Sequence, residues 1–341
     1  MDERGADYFV CRVMTSRQKS LEPLDVPIYI GGDEVGGLCL LREVRVQVAA
    51  LTIYQREAFL RDSENVESQD GWYVFRSDYV VIGAEWRTEY SAAMGTSAFW
   101  GQYVHAESPG FEVAAAGTNN ERIDVDQRQV RLTPRHQESL SKYAAYGRPT
   151  DRFLFLYHFM EIDFEREFVR RIKAVDMERA FGIGKILKDM GGNEELPRLI
   201  ALVKDMPVAP LEEIAGNLRN HMQVAESVFY DFGKESNPIL DINDFRQLFS
   251  ECPTVSYASF LDHKKNSASI SINLTKTNES YLVAMRKLGA YWMYRVRCCI
   301  AHNKMGEYHM MTSMDMEFME GFAIPMLRSM ISFRMSVASL D

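Results

Sequence analysis

The change of apolar period near residue 150 constrains this chain more than any other feature. From Tyr8 to about Arg131, apolar residues come in short runs broken by glycine and polar clusters. Examples are Val26–Ile30 before Gly31-Gly32, Val44–Val48, Trp72–Phe75 and Tyr79–Ile82. Short β-branched and aromatic runs bounded by turn residues are strand patterns. Residues 87–98 read less clearly, with Ala92–Ala98 a short helix or loop. After Pro149-Thr150 the period becomes helical: Asp151 is positioned to cap a helix from Phe153 to about Ala174.

Further helices are expected over Glu194–Met206 and over Leu211–Phe232, the latter stopped by Gly233. Shorter ones are expected within Leu240–Phe249 and Tyr257–Lys265, while Ser269–Leu274 alternates like a brief strand. Two clearer helices close the chain, Glu279–Ala301 and Asp315 to about Val337. Asp315 fits an N-cap, Asn303–Gly306 stops the first of them, and Pro325 should kink or divide the second. The expected fold is α+β: a β-rich domain over residues 1–150, then an all-α helical bundle over residues 151–341. At 341 residues each half is long enough to bury its own core.

Apolar residues make up 46% of the chain and charged residues 26%, as in an ordinary globular protein. The acidic start Met1–Asp7 precedes no apolar signal core, and no stretch without charges reaches membrane-spanning length. These features point to the cytoplasm and away from membranes. Five cysteines, Cys11, Cys39, Cys252, Cys298 and Cys299, are too scattered for a disulfide framework or a zinc pair. The net charge of −9 argues against a chain-wide electrostatic grip on nucleic acid but leaves room for a local basic cleft.

Several patterns read as structure. Gly31-Gly32 and Gly36-Gly37 bracket Asp33-Glu34-Val35, but no Lys-Ser/Thr follows and the acids would repel phosphate, so a hairpin turn is expected. The string Glu161, Asp163, Glu165 and Glu167 beside His158 lacks a metal-binding pair and reads as a solvated face with Arg166, Arg170 and Arg171. Methionines crowded between Met305 and Met335 fit core or interface packing. Arg219-Asn220-His221 reads as helix surface. No cofactor and no metal are expected.

The chemistry-bearing constellation lies in Tyr294-Arg295-Val296-Arg297-Cys298-Cys299-Ile300-Ala301-His302-Asn303. It ends a long apolar helix, precedes a turn and is followed by one more helical stretch. Imidazole beside guanidinium is a minimal kit for cutting RNA without metal. RNA brings its own nucleophile, the 2′-hydroxyl, so histidine moves protons and arginine neutralises the phosphate. The arginine fork donates two parallel hydrogen bonds to phosphate oxygens and never loses its charge. At about 100° per residue, Arg295 and His302 share a helix face, whereas Arg297 and His302 diverge by about 140° unless the helix ends there. Both arginines stay in play.

Arg297-Cys298-Cys299-Ile300-Ala301-His302 resembles the R-x(4-6)-H motif of the HEPN superfamily, and Arg295 gives the longer spacing to the same histidine. The apolar opening Phe153–Glu161 also resembles the first helix of several HEPN families. The resemblance spans about residues 151–337 and implies a HEPN-like bundle that homodimerises, bringing two Arg-His motifs together. It implies metal-independent endoribonuclease activity leaving 2′,3′-cyclic phosphate and 5′-hydroxyl ends, in a prokaryotic defence or toxin-like setting.

Carried onto this chain, His302 is general acid or base and Arg297 the phosphate ligand, with Arg295 supporting or competing. Glu161 orients an arginine, and Asn303 caps the helix or binds phosphate. Cys298 follows the arginine where many members carry Asn or Asp, and Lys304 stands where the toxin group carries Tyr. The rival expectation is an inactive module that binds RNA or protein. In either case residues 1–150 would sense or dock an activator or inhibitor.

Overall fold

The computed structural model describes residues 7–15, 22–105, 121–126, 132–175, 182–190, 194–232, 236–252, 254–266, 277–301 and 308–338. The chain is α+β and divides into two compact units, Met1–Arg148 and Pro149–Asp341.

The first unit is built on strands β1 (Tyr8–Thr15), β2 (Leu24–Ile30), β3 (Asp33–Leu40), β4 (Arg45–Val46), β5 (Val66–Gln69), β6 (Trp72–Phe75), β7 (Asp78–Gly83), β8 (Tyr103–His105) and β9 (Ile123–Asp124). A six-stranded sheet runs β8-β1-β7-β3-β2-β9, and β4-β6-β5 form a small second sheet. The pairs are antiparallel except β2 with β9.

Gly31 and Gly32 make the expected two-residue turn between β2 and β3, at φ +63° and +101°. Both positions of such a turn favour a residue without Cβ. The second glycine pair lies inside β3, where a Cβ on Gly36 would sit 2.0 Å from the Val81 carbonyl oxygen of β7. Close strand approach at Gly36 and the Tyr54 ring of the following helix packed on Gly37, 2.8 Å from where a Cβ would sit, explain that pair rather than a phosphate loop.

Strand β7 is buried on both faces, and its alternation splits the core. Val80 and Ile82 join Leu38, Leu40 and Tyr90 on one side, while Tyr79 and Val81 join Cys39, Leu41 and Phe75 on the other. Helices α2 (Arg87–Ala93) and α3 (Ser97–Trp100) fill the ambiguous stretch, and α2 contributes Tyr90 and Ala93 to the first core. Helices α1 (Ile53–Arg61) and α4 (Pro134–Ala145) were not expected, yet each opens with a complete capping box, Thr52 with Gln55 and Thr133 with His136. The expected strand Val44–Val48 shrinks to β4, because a 3₁₀ turn takes over at Val48–Ala50.

The second unit is helical: α5 (Pro149–Lys173), α6 (Ile183–Met190), α7 (Glu195–Leu202), α8 (Ala209–Ala215), α9 (Met222–Glu226), α10 (Ile242–Arg246), α11 (Tyr257–Asn266), α12 (Asn278–Ala301), α13 (Ser313–Phe318) and α14 (Ile324–Ala338). Asp151 is not the cap of α5. The helix starts at Pro149, whose missing donor costs nothing in a first turn, and Asp151 sits inside that turn. Nor is Leu211–Phe232 one helix. It breaks at Gly216, whose carbonyl accepts from Arg219 Nε at 2.9 Å, and continues as a 3₁₀ turn, α9 and a π turn over Ser227–Asp231.

Thr312, not Asp315, caps α13. Asp315 is fully buried three residues on, accepting from the Met311 and Thr312 amides at 2.8 and 2.7 Å and from the Tyr308 hydroxyl at 2.6 Å. Pro325 divides the helical stretch as expected, with a π turn at Met319–Ala323 before α14. Proline cannot donate to the Gly321 carbonyl, and Asn217 Nδ2 donates to it instead at 3.2 Å. Met310, Met319, Met326, Met330 and Met335 are buried, while Met311 and Met314 are exposed. Gly233, Met305 and the alternating stretch Ser269–Leu274 lie outside the described residues.

The acidic string of α5 is not a solvated face throughout. Asp163 and Glu167 are buried and hold Arg334 of α14 at 3.0 Å each, and Glu167 also accepts from Arg170 and Arg171. Burial raises the Glu167 carboxyl, but these three guanidinium groups outweigh it and pull the carboxyl down to about 2. A depressed carboxylate contributes stability that is present above the ordinary carboxylate range and lost as pH falls toward 2. Arg334→Ala leaves two buried carboxylates short of a partner and should cost about 3–5 kcal/mol in urea unfolding followed by helical circular dichroism. A loss below 1 kcal/mol would show that the pairs are not a main tie between α5 and α14.

Candidate functional site

Three helices of the second unit converge on Arg297. It lies near the end of α12, on a helix otherwise packed inward: every residue from Leu288 to Met293 is buried. Arg297 Nη2 is 2.8 Å from Glu195 Oε1 in the first turn of α7 and 3.7 Å from Glu161 Oε1 on α5. All three side chains are only partly exposed, at 22%, 23% and 31%. The expectation that Glu161 meets an arginine therefore has its geometry, with Glu195 as the nearer partner.

Two carboxylates facing one guanidinium leave a surplus negative charge in a half-buried place. Burial, and next the Glu195 charge, raise the Glu161 carboxyl to about 6, while Arg297 works against the shift. His158 Nε2 lies 3.8 Å from Glu161 Oε2 on the outer side of α5. One turn before Glu161, the buried Tyr157 hydroxyl has no hydrogen-bond partner among the described residues, and burial followed by the charges of Glu195 and Glu161 raises it far above its ordinary value.

Arg295 is placed differently. Two residues from Arg297, it projects about 160° away around the helix. Its side chain is buried and Nη2 donates to the Phe232 carbonyl oxygen. Cys298 and Cys299 are buried thiols of the same helix. Burial pushes the Cys298 thiol up, against a hydrogen bond with Tyr294. His302 and Asn303 lie outside the described residues, just past the end of α12 at Ala301.

A cleft of about 1360 Å³ follows α12 past Arg297. Its walls come from α7 and from residues 236–240, and α12 supplies Ser280, Val283, Lys287, Tyr294 and Arg297 among others. Among the described residues, no group of three or more His, Cys, Asp or Glu side chains is arranged to hold a metal ion, and no helix is long and apolar enough to cross a membrane.

Sequence reasoning brought out Arg297 and Glu161 and missed Glu195. An acid in the first turn of α7 already has a local reason there, because it complements the helix dipole, and nothing in the sequence ties it to residue 297. No protein-family model, curated protein or solved structure matches the chain.

The raised Glu161 carboxyl fixes the sign of one pH effect. Between the ordinary carboxylate range and about 6, the folded chain holds a proton that the unfolded chain has released, so stability falls as pH rises through that window. Glu161→Gln should flatten this part of the profile of melting temperature against pH. Carbon-13 NMR should show Glu161 titrating near 6 and moving higher in Arg297→Ala, where the opposing cation is gone. Titration in the ordinary carboxylate range would contradict the arrangement.

Proposed function

We propose that the helical unit is a metal-independent endoribonuclease of the HEPN type. The observation that supports this reading is the contrast between the two arginines: both border the cleft, but Arg297 is oriented by carboxylates from two helices, while the Arg295 side chain is buried and donates to the Phe232 carbonyl. Arg297 is then the phosphate ligand and Arg295 a structural arginine. Glu161 is the positioning residue for the guanidinium, and Glu195 is the contact that an incoming phosphate displaces.

In the reaction, the 2′-oxygen attacks the adjacent phosphorus and the bond from phosphorus to the 5′-oxygen breaks. The products are a 2′,3′-cyclic phosphate and a 5′-hydroxyl. His302 takes the proton of the attacking hydroxyl while the histidine of the second motif gives one to the leaving 5′-oxygen, or the two exchange these parts, and Arg297 stabilises the charge that grows on the phosphoryl oxygens. Two chains pair through their helical units to bring two such motifs together. The setting of this reading is the cytoplasm of a prokaryote, in a defence or toxin-like system, with the β-rich unit receiving an activator or inhibitor.

The 2.8 Å pair of Arg297 with Glu195 also favours a second reading, because a guanidinium already paired within the chain can serve as a structural tie. The unit would then be an inactive RNA- or protein-binding module.

Cleavage of single-stranded RNA in excess EDTA separates the two. The ribonuclease cuts under these conditions, His302→Ala abolishes cutting, and Arg297→Ala lowers kcat by about 10²–10³ with the fold retained. Arg295→Ala lowers the melting temperature more than it lowers the rate per folded molecule. Substituting hydrogen for the 2′-hydroxyl at the scissile position stops the reaction. RNA binding without cutting by the wild-type chain would favour the module.

A further inference from the structure

The open face of α12 carries more than Arg297. Ser280, Val283, Lys287, Tyr294 and Arg297 all border the cleft, and within the buried run after Lys287 the next positions to open are Tyr294 and Arg297. On a helix, Lys287 and Tyr294 differ by about 20° around the axis and Tyr294 and Arg297 by about 60°. Lys287 and Arg297 lie about 15 Å apart along it. An aromatic ring thus stands between two cations in one line.

Their contacts leave two of these side chains uncommitted. Lys287 is exposed and makes no ion pair among the described residues. Tyr294 is half-buried and makes no ring contact among them. The facing wall supplies Leu196, Pro197 and Ile200 of α7, an apolar surface suited to the flat face of a base. Glu194 and Glu279 also border the cleft, so its charge is mixed. A ligand must gain from stacking as well as from phosphate contacts, and a single nucleic-acid strand offers both.

We infer that this face of α12 is a binding track for single-stranded RNA, with Tyr294 stacking on a base next to the scissile phosphate and Lys287 holding a second phosphate several nucleotides away. The inference rests on the ribonuclease reading and names the residues of this chain that would hold its substrate. A duplex is disfavoured because its bases are stacked inside the helix, out of reach of Tyr294. An amphipathic peptide would use the apolar wall but leave Lys287 and the Tyr294 ring without a purpose.

The test is fluorescence anisotropy with the full chain and a labelled twelve-nucleotide oligouridylate carrying 2′-O-methyl groups throughout, which removes the nucleophile and separates binding from cutting. Tyr294→Ala should weaken binding about tenfold, while Tyr294→Phe, which keeps the ring, binds as the wild type does. Lys287→Ala should weaken binding and reduce the slope of log affinity against log salt by about 0.7, the value for one phosphate contact on a single strand. A duplex of the same length should be indifferent to Tyr294→Ala.

No binding by the wild-type chain, wild-type affinity in both alanine variants, or equal Tyr294 dependence with the duplex would overturn the track. The ribonuclease reading is scored apart, by cutting of unmodified strand in EDTA. Cutting with unaltered binding in the variants removes the track alone, and Tyr294-dependent binding without cutting removes the ribonuclease alone.

Discussion

Helix α5 carries carboxylates inward, and the helical unit is arranged to answer them with arginines. Asp163 and Glu167 meet Arg334 of α14, and Glu161 meets Arg297 of α12. A carboxylate taken out of water must be paired, protonated or hydrogen-bonded, because leaving it charged and alone costs several kcal/mol. Near α14 the guanidinium groups are sufficient and Glu167 is held firmly ionised. Near α12 one guanidinium faces two carboxylates, and Glu161 is raised instead. One helix therefore has a saturated end that ties the bundle together and an unsaturated place where charge is in contest.

That contest is what makes Arg297 chemically interesting. A guanidinium fully satisfied by buried partners, as Arg334 is, has nothing to offer a ligand. One shared by two carboxylates can exchange one of them for a phosphate and keep the other as its positioning partner. Arg295, only two residues away, also borders the cleft but is buried and committed to the Phe232 carbonyl. Helix phase gives two identical residues different surroundings.

Much of the fold was legible because it rests on local signals. Gly31-Gly32 between alternating strands and the apolar runs of α5 and α12 each declare an element without reference to distant residues. Pro325 announced a break that its missing donor enforces. What was misread depends on partners far along the chain. Asp163 and Glu167 look like solvated acids until Arg334 arrives from α14, and Leu211–Phe232 looks like one helix because its apolar period survives the 3₁₀ and π turns. Helix α4, with Thr133 and His136 in its capping box, was a local signal that went unread. The site divides the same way. Arg297 and Glu161 followed from motif and helix position, whereas Glu195 enters only through the packing of α7 on α12.

The central claim is that Arg297 serves transesterification at RNA without a metal, and the chemical identity of the new ends tests it most directly. End-group analysis of RNA incubated with the wild-type chain in excess EDTA should give 2′,3′-cyclic phosphate and 5′-hydroxyl termini, both absent with His302→Ala. Products bearing 5′-phosphate and 3′-hydroxyl ends, or intact RNA, would contradict the account.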